Sequence, residues 1–277
     1  MTTRSFARPL LAGAIAASLA LSACQGGANQ SADGNAAGDA PSITAPQGAT
    51  ELEIVRAMLD LAEVRPEDLV VDLGSGDGRI PIMAAQLKGA RGLGVEIDPG
   101  RIRQSNANAS RAGVATRVEF RQQDLFVTPL NEVTVLTLFL LPEINLQLRP
   151  KILAQMRPGT RVVSNTWDMG DWRPDRRRTV GGTNIFLWIV PAAIDGRWTF
   201  QGDGGGSGEL AVTQSYQDFA GTVSAGGRTG PIGDGQLSGD RIAFTADLGQ
   251  GRRRYEGRVE GNSMTGNGWR AARASGG

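Results

Sequence analysis

The chain has 277 residues, 40% of them hydrophobic and 21% charged, with a formal net charge of +1. That length suits one substantial domain or two modest ones, and the near-neutral balance offers no strong field to nucleic acid or to an anionic membrane surface. Histidine is absent and there is one cysteine, which excludes a Ser-His-Asp triad, His-ligated zinc and any internal disulfide or cysteine cluster.

At the N-terminus, Arg4 and Arg8 flank the start of an apolar stretch over 10–21 (LLAGAIAASLAL), too short to span a bilayer comfortably. The stretch ends in Leu21-Ser22-Ala23-Cys24. This resembles a bacterial lipobox. Residues 1–23 are expected to be a lipoprotein signal peptide, with Cys24 lipidated and the chain held to the cell envelope, on the periplasmic side, by that lipid. An ordinary secretory signal or an uncleaved anchor is the alternative. Gln25, where no Asp favours inner-membrane retention, leans towards the outer membrane; an unused signal would leave the chain in the cytoplasm. Residues 24–48, rich in Gly, Ala, Asn, Ser and Asp, read as a flexible linker.

A first domain is expected over 49–193. Leu52, Val55, Met58, Leu59 and Ala62 repeat at helical spacing over 51–63, and Arg65-Pro66 ends that helix. A short buried-strand run, Leu69–Leu73, follows, with further strand-like runs at 91–97, 117–122, 133–141, 160–166 and 184–190. Helical stretches at 79–88, 99–112 and 143–156 lie between them, and Pro81 sits in a first helical turn, where its missing N–H costs nothing. The alternation predicts an α/β domain: a mostly parallel sheet with helices on both faces. Arg176-Arg177-Arg178 and Arg252-Arg253-Arg254 read as solvated loops.

From residue 194 to 277 a second domain is expected, since more than half of the 39 glycines fall after residue 193 and no long helical period survives. Leu210/Val212/Gln214/Tyr216 and Ile242/Phe244/Ala246/Leu248 alternate, with turn signals at Asp234-Gly235, Gly239-Asp240 and Gly261-Asn262. This predicts an all-β antiparallel meander closing into a small barrel or sandwich, serving as a lid, a ligand barrel or a partner surface.

The chemistry is concentrated in Asp72-Leu73-Gly74-Ser75-Gly76-Asp77-Gly78, between the first strand and a helix whose start at Arg79 should offer free N–H groups. A dinucleotide fingerprint, G-x-G-x-x-G, would need its third glycine where Arg79 stands, which disfavours a NAD-dependent oxidoreductase. Glu96 closes the second strand, where a carboxylate can accept both ribose hydroxyl protons; Asp98 is its rival, with helix capping as the competing job. Gln123-Asp124-Leu125 closes the third strand, with Asp124 as a plain turn residue the alternative.

Taken in register, these elements resemble the class I S-adenosylmethionine (SAM)-dependent methyltransferases, whose sheet is Rossmann-like. The resemblance implies SAM as cofactor, with Asp72, Gly74, Ser75, Gly76, Asp77 and Gly78 around its methionine and ribose, Glu96 on the ribose hydroxyls, and Asp124 and Leu125 at the adenine. Residues 66–172 are similar to mitochondrial-type protein-lysine methyltransferases. The chain looks closer still to bacterial SAM-methyltransferase-like proteins with a C-terminal β domain.

The acceptor is not named by the sequence. Phe139-Leu140-Leu141-Pro142-Glu143 stands where methylases of base amino groups resemble one another in an Asn/Asp-Pro-Pro-aromatic motif, and there is no basic groove, so protein lysine or a small molecule is favoured over nucleic acid. Glu143, Trp167, Asp168 and Trp172 follow the fourth and fifth strands, at the carboxyl edge where open α/β sheets bind ligands. They are the substrate-side candidates, with domain-interface packing the alternative for both tryptophans. No metal site is expected. An exported chain would leave the compartment where SAM is made, so a non-catalytic envelope lipoprotein that binds a ligand or partner is the alternative function.

Overall fold

The computed structural model describes residues 51–202 and 206–274. The signal, Cys24 and the whole linker fall outside them. Helix α1 (Leu52–Leu61) buries Val55, Met58 and Leu59 of the face its periodicity predicts, while Leu52, at its first turn, stays exposed. After it come β1 (Leu69–Leu73), α2 (Arg79–Lys88), β2 (Arg91–Glu96), α3 (Pro99–Arg111), β3 (Val118–Gln122), β4 (Val135–Leu138), α4 (Pro142–Gln155), β5 (Arg161–Asn165), β6 (Arg176–Val180) and β7 (Thr183–Ile189). The strands form one seven-stranded sheet in the order β3-β2-β1-β4-β5-β7-β6. Strand β7 is antiparallel to both its neighbours, and all the other strands run one way.

The sheet is buried on both faces by different partners. Helices α1 and α2 cover Val70, Val135, Val163, Ile185 and Leu187. On the other face α4 places Ile144, Leu148 and Ile152 against Leu73, Leu136, Leu138 and Val162. Helix α3 is largely polar and packs through the small residues Ser105 and Ala109. Residues with β-branched and large apolar side chains thus occupy every central strand, as a doubly covered sheet requires.

The second half is an antiparallel barrel. Its strands are β8 (Gly196–Gly202), β9 (Ser207–Ser215), β10 (Asp218–Ala225), β11 (Arg228–Pro231), β12 (Gly233–Ser238), β13 (Arg241–Asp247), β14 (Arg252–Glu260), β15 (Ser263–Gly266) and β16 (Trp269–Arg273). β11 and β12 pair in succession with β10 and meet at Ile232, so they act as one bent strand. Counted so, each strand pairs with the next in sequence, and β16 pairs back to β8, closing an eight-stranded meander. Its interior is filled by Trp198, Phe200, Phe219, Phe244, Tyr255, Met264 and Trp269. Phe244 lies 4.9 Å from Tyr255 and meets Trp269 edge-on at 5.5 Å. A barrel so plugged is a packed core, which removes the ligand-barrel reading.

Several local expectations change. The run 133–141 is a strand only over Val135–Leu138, because the chain turns out to start α4 at Pro142. Arg176-Arg177-Arg178 is no loop but the exposed edge strand β6, and Arg252-Arg253-Arg254 opens β14. Both runs are solvated, as expected. Asp234-Gly235 makes a bulge within β12, with Asp234 at φ 50°, in place of a turn. The alternation through Gln214 stops at Tyr216, which leaves the barrel at the tip of the β9–β10 turn.

Candidate active site

The glycine loop is built by bonds to the neighbouring strand. Gly74 and Ser75 both donate their N–H to the carbonyl of Val95, at 2.8 and 2.9 Å. Gly74, Gly76 and Gly78 hold positive φ of 80°, 53° and 80°, a region that side chains disfavour. The turn is therefore sharp and lies across the carboxyl tips of β1 and β2.

Glu96 faces this loop. Its Oε2 accepts from Gly76 N–H at 3.1 Å, and its Oε1 accepts from Ile97 and Asp98 N–H at 2.8 and 3.1 Å. The carboxylate is fixed between two backbone turns and remains half-buried. Asp98 takes the capping job: its side chain accepts from Gly100 and Arg101 N–H at the start of α3.

Asp72 lies beneath the loop, 3% exposed. Burial pushes its carboxyl up to about 7, reinforced by the charges of Asp77 and Glu96 and opposed by a hydrogen bond that Thr137 Oγ1 donates at 2.6 Å. Asp72 and Glu96 thus converge on one turn beside Asp77, whose own charge is met by Arg79, and the two carboxyls suit a cationic ligand. Ser75 Oγ is buried there without a hydrogen-bond partner. A Cβ-free turn, a fixed strand-end carboxylate and this acidic cluster fit an adenosyl sulfonium.

Two members of the motif also have partners within the protein. Asp77 grips Arg79, accepting from its guanidinium at 2.6 Å and from its N–H at 3.2 Å, which holds its carboxyl below the usual range. The N–H expected to be free at Arg79 is thereby used inside the loop. Gly78 is expected at the cofactor, but a Cβ there would stand 2.5 Å from the Phe120 ring and 2.8 Å from Ser105, so its bareness serves the packing of β3 and α3. The loop offers a ligand shape and charge more than free donors.

Beyond β3, Asp124 is exposed and its Oδ1 accepts from Phe126 N–H at 2.7 Å, closing a local turn. Leu125 is half-buried against the core. Gln123 N–H donates to the Glu96 carbonyl at 3.0 Å, so this turn and Glu96 share the sheet edge. Ile97, 65% exposed, projects an apolar side chain at that edge and was missed in the sequence. Its signal was available: an apolar residue set between a strand-end acid and a capping Asp.

On the β4–β5 side, Glu143 is exposed in the first turn of α4. Trp167 is 39% exposed, and Asp168 is exposed with Oδ1 accepting from Gly170 N–H at 3.0 Å. Trp172 is a correction. It is wholly buried, 6.0 Å from Trp188 and stacked on Tyr216 at 5.9 Å, and so packs the core in place of meeting a substrate. Asn145, also missed, is fully buried beneath this loop, its Nδ2 donating to Ser164 Oγ and to the carbonyls of Trp167 and Asp168.

The ANTKMT methyltransferase domain family matches residues 72–176. A protein-lysine N-methyltransferase of Saccharolobus islandicus is 42% identical over 150 residues, 52% of this chain and 93% of that protein. The adenine nucleotide translocase lysine N-methyltransferase of Mus musculus is 34% identical over 120 residues, 43% of this chain; the match takes in 52% of that protein, so only about half its length. Among solved structures, an RNA methyltransferase from Salinibacter ruber in complex with S-adenosyl-L-homocysteine is 50% identical, with a TM-score of 0.52, over 53% of this chain and 96% of that one. With the strand order, the glycine turn and the placement of Glu96, these likenesses make the chain a member of the class I S-adenosylmethionine-dependent methyltransferases.

Proposed function

We propose that this enzyme methylates the side-chain amine of lysine in a protein. The observation that carries the reading is acidic: Glu143 and Asp168 stand exposed at the carboxyl edge on the acceptor side, and neither pairs with an arginine or lysine among the described residues. Such an edge attracts an ammonium and repels a phosphate backbone. The lysine methyltransferase of Saccharolobus islandicus, matched along nearly its whole length, supports the same acceptor.

Within this reading Glu96 holds the ribose hydroxyls, Gly74, Ser75 and Gly76 form the floor, Asp72 balances the positive end of the donor, and Asp124, Leu125 and Ile97 border the adenine. When bound, S-adenosylmethionine supplies an electrophilic methyl on a sulfonium. The protein's part is alignment, which requires no histidine. Glu143 and Asp168 draw in the lysine, which loses its proton to water at this open edge before its lone pair can attack. A second reading, RNA as acceptor, is favoured by the name of the Salinibacter ruber protein.

Incubating the enzyme with methyl-tritiated SAM and envelope extract separates the two. Label recovered as methyllysine after protein hydrolysis is expected; label confined to RNA would overturn the lysine acceptor. Glu96→Ala is expected to weaken SAM binding by about 30-fold, matching the loss of charge-assisted hydrogen bonds worth about 2 kcal/mol.

The site of action proposed is the cell envelope, through a lipid on Cys24. Its support is the charged start, the apolar stretch 10–21 and Leu21-Ser22-Ala23-Cys24. The outer membrane is favoured because Gln25 follows the cysteine. Cys24→Ser is expected to move the protein out of the membrane fraction, and unchanged fractionation would refute the anchor.

A further inference from the structure

The segment 166–175 joins β5 to β6 without a helix, begins at the carboxyl edge and carries Trp167 and Asp168. Two sets of contacts hold it. From within the sheet domain, Ser164 Oγ donates to the Trp167 carbonyl at 2.6 Å, Asn145 reaches the Trp167 and Asp168 carbonyls, and Arg149 Nη1 donates to the Met169 carbonyl at 2.6 Å and pairs with Asp171.

The second set comes from the barrel, through the tip of its β9–β10 hairpin. Tyr216 stacks on Trp172 with rings 15° from parallel, lies 5.4 Å from the Arg149 guanidinium and donates its hydroxyl to Asp171 Oδ2 at 3.1 Å. Gln217 Nε2 donates to the Arg173 carbonyl at 2.6 Å, and Asp218 pairs with Arg173 at 3.3 Å. Tyr216 adopts φ 55°, a conformation costly for an aromatic residue and kept only where surrounding contacts over-determine it.

We infer that the barrel is a positioning device for methyl transfer: its hairpin, through Tyr216, clamps segment 166–175 and so sets the acceptor-side wall at Trp167 and Asp168. Tyr216 touches no reacting atom and acts through Trp172 and Asp171. The barrel, whose interior is plugged, contributes by its outer surface. The inference rests on the methyltransferase reading with a lysine acceptor.

The test uses Tyr216→Gly, which suits the positive φ while removing the ring, and Tyr216→Phe, which keeps the stack and loses only the hydroxyl bond. Three quantities are measured below the melting point: SAM affinity by calorimetry, transfer to poly-L-lysine, and hydrogen exchange of the Gly170 and Trp172 amides. For Tyr216→Gly, exchange at these amides is expected to quicken at least tenfold and KM for poly-L-lysine to rise at least tenfold. SAM affinity should stay within twofold and kcat within threefold.

Tyr216→Phe should recover KM to within threefold of the parent, and Arg270→Ala, at the far end of the barrel, should leave every quantity unchanged. Unchanged exchange and KM in Tyr216→Gly, or a loss of SAM affinity in step with transfer, would overturn the clamp. If the parent transfers nothing to poly-L-lysine, the lysine reading fails by itself, and unaltered exchange in Tyr216→Gly would still sink the clamp.

Discussion

Asp72 is a carboxyl at odds with its setting unless a cation is present. Its folded-state value near 7 stands above the ordinary 3.8 of an unfolded chain, so the group favours the fold below about pH 4 and that advantage fades as pH climbs through 7. The span corresponds to ~4 kcal/mol. In the proposed pose a bound sulfonium favours the ionised form, so SAM is expected to displace a proton below pH 7. Affinity is therefore expected to rise by up to tenfold per pH unit between 5 and 7 and then level off, as calorimetry at fixed ionic strength would read. Asp72→Asn should flatten that profile, weaken binding, and raise the melting temperature of the ligand-free protein at pH 8. At this scale Glu96 was legible, because the end of a strand fixes where its side chain stands. The internal partners of Asp77 and Gly78 were not. Asp77 is claimed by an arginine two residues on, and Gly78 by Phe120 from a strand distant in sequence, a contact no local spacing encodes.

Among the elements, α2 illustrates agreement between signals. Pro81 sits in its first turn and Gly89, at φ 69°, ends it, so its sequence limits and its structural limits coincide. Its N-terminal approach is less forgiving. Gly78→Ala places a Cβ inside the Phe120 ring at a positive φ, and is expected to cost about 2–4 kcal/mol of stability. Denaturant titration would show this as a lower midpoint with an unchanged slope; a midpoint equal to the parent's would mean that Phe120 can swing aside. Strand β6 was illegible because its three arginines carry no apolar alternation, and its strand character comes from pairing with β7 alone. Helix α3 was legible through its Asp98-Pro99 start, although it buries little besides Ser105 and Ala109.

For the whole molecule, the division between a sheet-and-helix half and a strand-only half could be read from the change in glycine content and in period. Barrel closure could not, because it depends on β16 meeting β8, near opposite ends of the segment. Nor could the fate of Tyr216 be read, since its alternation places it inside a strand while the chain delivers it to the other half's core. Among the described residues the barrel closes on itself, whereas the seven-stranded sheet has two open edges, at β3 and at β6. Each is fringed with charge: Glu119 and Arg121 on one, Arg176, Arg177 and Arg178 on the other. A second copy docking its own β6 there would have to strip water from guanidinium groups and bring like charges together, which disfavours growth of the sheet past this edge.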